Sequence, residues 1–258
     1  YYAAREPAFV VNFPNRQAVD AYRKLGWREV PAVTVDFRVQ NPGRFLPIAN
    51  PTIGGAVESG GRRISEALYA HVDSRGGDSE LTVERHSDVP ASTLAALYER
   101  DVPDALHAKR DPAFFEWRLG NPDWETRTYI ARNGDGPVAA MVSVTEETND
   151  STFTKVLEAL PMDGVGVSDA MGRLLASVCR DHSESDVVKM AHSTVPRSVS
   201  RQFCFLRGDY PPLSWATNTS TMVVRPLDPD GEQWTLGNRT LTDWDDWEIT
   251  FSEQDTSY

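Results

Sequence analysis

The chain has 258 residues, with 38 acidic side chains against 26 basic ones and a formal net charge of -12. That balance argues against a nucleic-acid binder, which needs a basic surface, and no apolar run reaches the roughly 20 residues that span a membrane. Only Lys24, Lys109, Lys155 and Lys189 are lysines, a composition of haloarchaeal type in which hydrated carboxylates keep a chain dissolved and salt screens their repulsion. Cys179 and Cys204 are too few for a disulfide framework or a zinc site. Both stand in apolar runs, as buried thiols do in a reducing cytoplasm, and a cytoplasmic, halophilic protein is expected. The chain opens on Tyr1 rather than Met, so it reads as a piece of a longer protein.

Residues 9–13 read as a strand, interrupted by Pro14 and Asn15, the latter a good helix cap. Ala18, Tyr22 and Leu25 fall on one helical face, and Gly26 ends that helix. Residues 32–39 alternate and are β-branched, as in a strand. From 40 to 61 the chain is rich in Pro, Gly and Asn and reads as a linker. A short helix is expected over 62–72. A second unit opens with a strand at 81–84 and an amphipathic helix over 90–100. Asp111-Pro112 caps another helix through Phe114, Phe115, Trp117 and Leu119, with the aromatics expected in the core. Residues 127–132 and 138–145 make a hairpin around Asn133-Gly134-Asp135-Gly136. A strand over 153–160, a helix over 169–181, a strand over 187–191, a helix over 198–206 and a strand over 215–224 complete the unit. The two units share a local echo, at Leu25-Gly26 and at Leu206-Arg207-Gly208.

The run Phe13-Pro14-Asn15-Arg16-Gln17-Ala18-Val19-Asp20-Ala21-Tyr22-Arg23-Lys24-Leu25-Gly26-Trp27 resembles the Asn-x-x-Ala-x-x-x-Tyr-x-Lys-x-Gly-aromatic segment of the GCN5-related N-acetyltransferases, or GNATs. The resemblance implies an α/β fold, a mixed and mainly antiparallel sheet flanked by helices. It would occur as a tandem: a truncated first copy over 1–45, an irregular connection over 46–80, a complete second copy over 81–226 and an extension packed on it over 227–258. It implies transfer of an acyl group from acetyl-CoA to a small-molecule or peptide amine. In the family a backbone amide on a splayed strand polarises the thioester and a Tyr on the next helix protonates the leaving thiolate. Tyr22 holds that position, and Asn15 holds the one that contacts the cofactor arm. A Gly-rich loop opening a helix would bind the pyrophosphate. The second unit offers Gly164 and Gly166 before the helix of Leu174 and Leu175, without the family's Gln or Arg and with Asp163 and Asp169 on either side.

Other readings remain open at this point. The doubled fold could be a non-catalytic binding or assembly domain, or an aminoacyl-transferase fed by charged tRNA, which a net charge of -12 disfavours. The five histidines share no metal spacing; His192 follows the strand at 187–191, where a general base could sit. Arg118 is either a paired structural Arg or a carboxylate binder. The acidic and aromatic run 243–248 lacks a calcium-loop pattern, and no metal is expected.

Overall fold

The computed structural model describes residues 7–15, 17–41, 69–70, 72–73, 80–122, 124–148, 151–162, 164–211, 213–215, 220–228, 230 and 232–254. The stretch 42–61 and most of the short helix expected over 62–72 lie outside them.

The first unit is β1 (Phe9–Asn12), α1 (Val19–Lys24), β2 (Arg28–Val33) and β3 (Val35–Val39). The second is β4 (Thr82–His86), α2 (Ala91–Tyr98), α3 (Pro112–Leu119), β5 (Glu125–Asn133), β6 (Gly136–Glu147), β7 (Thr152–Leu160), α4 (Ser168–Asp181), β8 (Val187–Ala191), α5 (Arg197–Gln202), β9 (Leu206–Arg207) and β10 (Ser220–Pro226). A small hairpin, β11 (Thr235–Leu236) with β12 (Arg239–Thr240), and a closing segment through Gln254 follow. The β5–β6 turn is made as expected: Asn133 pairs with Gly136, and the Asn133 side chain accepts the Asp135 N–H at 2.9 Å.

A seven-stranded sheet runs in the order β4-β5-β6-β7-β8-β3-β9. Every neighbour pair in it is antiparallel except β7 with β8. A three-stranded antiparallel sheet runs β1-β10-β2. Each sheet takes strands from both units, and the exchange is reciprocal. In one, β3 of the first unit lies between β8 and β9 of the second. In the other, β10 of the second lies between β1 and β2 of the first. The single strand expected over 32–39 is therefore two. It breaks at Thr34, because its halves pair in different sheets.

Strand alternation divides the large sheet between two cores. Ile130, Val142, Val144, Leu157 and Leu160 face α2 and α3, while Ala131, Met141, Val156 and Met190 face α4 and α5. On α4, Met171, Leu174, Leu175 and Val178 are buried, as the helical spacing requires. On α3, Phe115 and Leu119 lie one turn apart and point inward. Trp117 is about 200° round from Phe115, and it is 75% exposed rather than in the core. Leu25 is likewise exposed; it is the residue that closes α1 and not part of its buried face.

Candidate active site

β1 runs out at Asn12, and Pro14 carries the chain into the turn before α1. Asn15 caps that turn: its Oδ1 and its backbone oxygen each accept the Ala18 N–H at 3.0 Å. The helix itself starts four residues later, at Val19, so Asn15 anchors the entry and remains exposed. Tyr22 is half-buried on α1. Its ring meets Trp27 edge-on, with centroids 5.0 Å apart at 89°. Its hydroxyl accepts a hydrogen bond from Nδ2 of Asn12. The amide of Asn12 is oriented by its other end, since Oδ1 accepts the Phe13 N–H at 2.8 Å. The phenol is thus held as an acceptor and keeps its own proton for a third group.

The same unit recurs in β8-α5-β9. α1 and α5 are six residues each, and each is followed by a closing residue and then a left-handed one, Gly26 at φ 82° and Cys204 at φ 61°. The next amide bonds back over the helix end in both: Trp27 N to Tyr22 O at 3.1 Å, and Phe205 N to Ser200 O at 2.9 Å. The echo between units is therefore Leu25-Gly26-Trp27 with Phe203-Cys204-Phe205, one turn earlier than Leu206 to Gly208. The helix expected to reach 206 stops at Gln202 for this reason. Ser200 stands where Tyr22 stands in the first unit. It is buried, and its hydroxyl bonds to Arg197 O at 3.2 Å.

Gly164 and Gly166 lie in the connection from β7 to α4, away from α1, and the structure does not bring them together with Asn15 and Tyr22. Gly164 is left-handed (φ 62°), and a Cβ there would stand 3.1 Å from Cδ of Pro196, so the loop packs closely on the start of α5. Gly166 has open space around it. A cleft of about 390 Å³ opens there, lined by Leu81, Val138 and residues 166–170. The amides opening α4 suit an anion, while Asp169 in its first turn opposes one.

The parallel register of β7 with β8 covers Phe153 to Val156 and ends there, although β7 continues to Leu160. The C-terminal segment fills the opening. Ser252 donates both its N–H and its hydroxyl to Leu157 O at 3.1 Å, and Ser193, just beyond β8, donates to Ile249 O at 3.1 Å. Trp247, Ile249 and Phe251 are buried in the α2/α3 core, so the opening is covered on that face. Arg118 belongs to this closure. Its Nε donates to Ser252 O at 2.7 Å, and Nη2 reaches the carbonyls of Phe251 and Gln254. It is a structural clamp rather than a carboxylate binder.

Several charged groups emerge only from the packing. Arg110 is fully buried between Glu158 (3.0 Å) and Glu253 (2.5 Å). Burial, with repulsion from Glu253, pushes Glu158 up to about 7 against the attraction of Arg110. Glu248 is likewise pushed up to about 7, by burial and then by Glu253. His182 is buried among hydroxyls, Ser143 and Thr145 at 3.1 Å and Tyr129 at 3.3 Å, and burial brings it down to about 4. Lys189 stands beside Lys155 across the β7–β8 register; burial, then Lys155, lowers it to about 8. His192, the base candidate of the second unit, contacts Asp36 of β3 through Nδ1 at 2.8 Å. Asp36 had no signal in the sequence, because it is brought there by the exchanged strand. No group of three or more metal-ligating side chains occurs among the described residues.

No family model and no curated protein matches the chain. Among solved structures, it is similar to a GCN5-related N-acetyltransferase from Anabaena variabilis, with 12% identity and a TM-score of 0.51 over 87% of this chain and 47% of that one. It also matches a tandem GNAT protein from the clavulanic acid biosynthesis pathway, with 11% identity and a TM-score of 0.43 over 87% of this chain and 66% of that one. A third match is the C-terminal domain of a putative lysylphosphatidylglycerol synthetase from Agrobacterium fabrum, with 12% identity and a TM-score of 0.44 over 86% of this chain and 69% of that one. The chain spans about half the length of the Anabaena protein. At this identity the likeness shows the fold alone: a mixed, mostly antiparallel sheet flanked by helices, of the GNAT type.

Proposed function

We propose that the chain is part of an acyl-CoA-dependent N-acyltransferase that moves an acetyl group to a small-molecule or peptide amine. The observation that carries this reading is the Asn12–Tyr22 pair. The oriented amide of Asn12 donates to the phenol oxygen, so Tyr22 keeps its proton for a leaving thiolate. When bound, acetyl-CoA would supply the activated acyl carbon. Asn15 marks the entry to α1 near the arm of the donor. Gly164 and Gly166, at the opening of α4, would belong to a separate donor site of the second unit. The GNAT fold supports the reaction class and not the acceptor.

The test is acetyl-CoA turnover with a panel of amines, by wild type and by Tyr22→Phe, which keeps the ring and its edge contact with Trp27. Loss of a general acid costs about 100-fold to 10,000-fold in rate. An unchanged rate would leave Tyr22 as a packing residue. Isothermal titration with coenzyme A separates an untried acceptor from a chain that does not bind the donor.

A second reading applies to the second unit, as a non-catalytic partner of the first. It is favoured by Ser200 in the place of Tyr22 and by the C-terminal segment in the β7–β8 opening. No described helix is long and apolar enough to cross a membrane.

A further inference from the structure

We propose that Asp36, His192 and Arg197 form a general-base site, assembled from both units, for an acceptor amine that carries its own anionic group. It extends the acyl-transfer reading by naming a base and an acceptor class, and it lies on the α4/α5 side of the sheet, opposite the closure by the C-terminal segment.

The exchanged strand makes the site. β3 enters beside β8 with Val35 opposite Ala191 and Asp36 opposite Met190, and the His192 N–H bonds to Thr34 O at 2.9 Å. The backbone of His192 is therefore pinned to the same strand as the carboxylate its ring meets. Asp36 is fully buried, while the His192 side chain is 29% exposed. The carboxylate accepts from Nδ1–H, which fixes the tautomer and leaves Nε2 as the basic nitrogen. The other oxygen of Asp36 is buried with no hydrogen-bond partner. A lone structural tie does not need that arrangement, since its unpaired oxygen is costly.

Arg197, at the start of α5, is 39% exposed. Its Nη1 is 3.3 Å from Nδ1 and 3.4 Å from Nε2, which sets it across the ring rather than in line with either nitrogen. It approaches Asp36 Oδ2 only to 3.8 Å, too long for a hydrogen bond. Its remaining donors are therefore available to a ligand carboxylate or phosphate, in the fork geometry guanidinium offers. The other charges beside the ring neutralise each other: Arg207 and Asp209 are joined at 2.9 and 2.5 Å. The Gly164 loop packs on Pro196, so this cluster adjoins the opening of α4.

In the step, Nε2 takes a proton from the attacking amine as its nitrogen bonds to the acyl carbon. The bond from that carbon to the leaving sulfur or oxygen breaks, and Nε2–H returns the proton to the leaving group. His192 is the catalytic residue here, Asp36 a positioning residue, and Arg197 the anion contact.

The probe is p-nitrophenyl acetate with glycine or ethylamine as acceptor, using the full chain, with nitrophenolate release measured above the uncatalysed rate. Glycine should be the better acceptor. His192→Gln should lose about 100-fold or more. Asp36→Asn should lose about tenfold or more, with a displaced pH–rate limb, because the wrong tautomer is favoured. Arg197→Gln should raise KM for glycine several-fold more than KM for ethylamine, because only glycine carries a carboxylate for the guanidinium to meet, and an equal change in both would overturn the anion contact. Equal rates for wild type and His192→Gln, or no rate above background in the wild type, would overturn the site. If Asp36→Asn does not fold, the half-exposed His192 still decides the matter. Ester turnover through His192 without acetyl-CoA turnover would sink the acyl-CoA reading and leave the base standing.

Discussion

Gly26 and Cys204 hold the same place in two copies of one helix ending, both left-handed, at φ 82° and 61°. Glycine takes that conformation freely, and a residue with a Cβ does not. A Cβ at Gly26 would meet nothing within 4 Å, so Gly26→Ala isolates the backbone cost. It should destabilise the fold by about 1 kcal/mol. Cys204→Gly should relieve a similar strain, offset in part by lost side-chain packing. Urea denaturation of the two variants checks the pair: a destabilisation by Gly26→Ala with a smaller or opposite change at Cys204→Gly is expected.

The Arg110 network sets a pH dependence with a definite sign. Unfolded, Glu158 titrates near the ordinary 4.5; folded, near 7. Between those values the folded chain holds a proton that the unfolded chain has released, so stability falls as pH rises through the window. Glu248 acts in the same direction. His182 acts oppositely. Its folded value near 4 lies below the ordinary 6.5, so its contribution is lost as pH falls from 6.5 toward 4. Two acids outweigh one histidine, so denaturation midpoints should decline between pH 4.5 and 7 and level off above it. Glu158→Gln should flatten that decline. A midpoint rising over the same range would contradict the assignment.

Breaking the network from the other side should cost more. Arg110→Met leaves Glu158 and Glu253 in the interior without their cation, a loss of about 3–5 kcal/mol. Circular dichroism melts of Arg110→Met and of the double variant Arg110→Met with Glu158→Gln check this. The double variant should recover part of the loss, because it removes one buried acid left without its partner.

Local chemistry was legible in the sequence where one element decides it. The Asn133–Gly136 turn, the Asp111 cap (2.9 Å to the Phe114 N–H) and the buried stripe of α4 all follow from neighbours in the chain. Pairing between distant strands was not legible. Residues 32–39 alternate throughout, yet Thr34 divides them between two sheets, and nothing local marks that residue. Asp36 illustrates the consequence for the site. It reads as one polar position on a strand, and only the exchange of β3 brings it to His192, 156 positions further along. Tyr22 was legible as a position in a motif, whereas the orientation of its hydroxyl depended on Asn12 across the turn.

The acidic, lysine-poor composition carries an expectation about salt. At a net charge of -12, self-repulsion should weaken the fold in dilute buffer and be screened as the Debye length falls to about 3 Å at 1 M. Thermal midpoints in a KCl series should rise toward molar concentrations. A flat or falling series would remove the halophilic reading.

Ser252 tests the closure of the β7–β8 opening. Its N–H and its hydroxyl converge on Leu157 O, the first β7 carbonyl beyond the parallel register. Ser252→Pro removes both donors and leaves that buried carbonyl unpaired, at about 1–3 kcal/mol. Ser252→Ala removes only the hydroxyl and should cost less. The readout is hydrogen exchange in the full chain. Exchange should rise in Ser252→Pro across 249–254 and at the end of β7, with the β4–β5–β6 strands unchanged, because their ladder does not involve the segment. Uniform loosening of the whole sheet would show that residues 249–254 are part of a single cooperative core. Unchanged exchange would show that Ile249 and Phe251 hold the segment by packing alone. In either case the hydrogen bonds to Leu157 would not be what closes the opening.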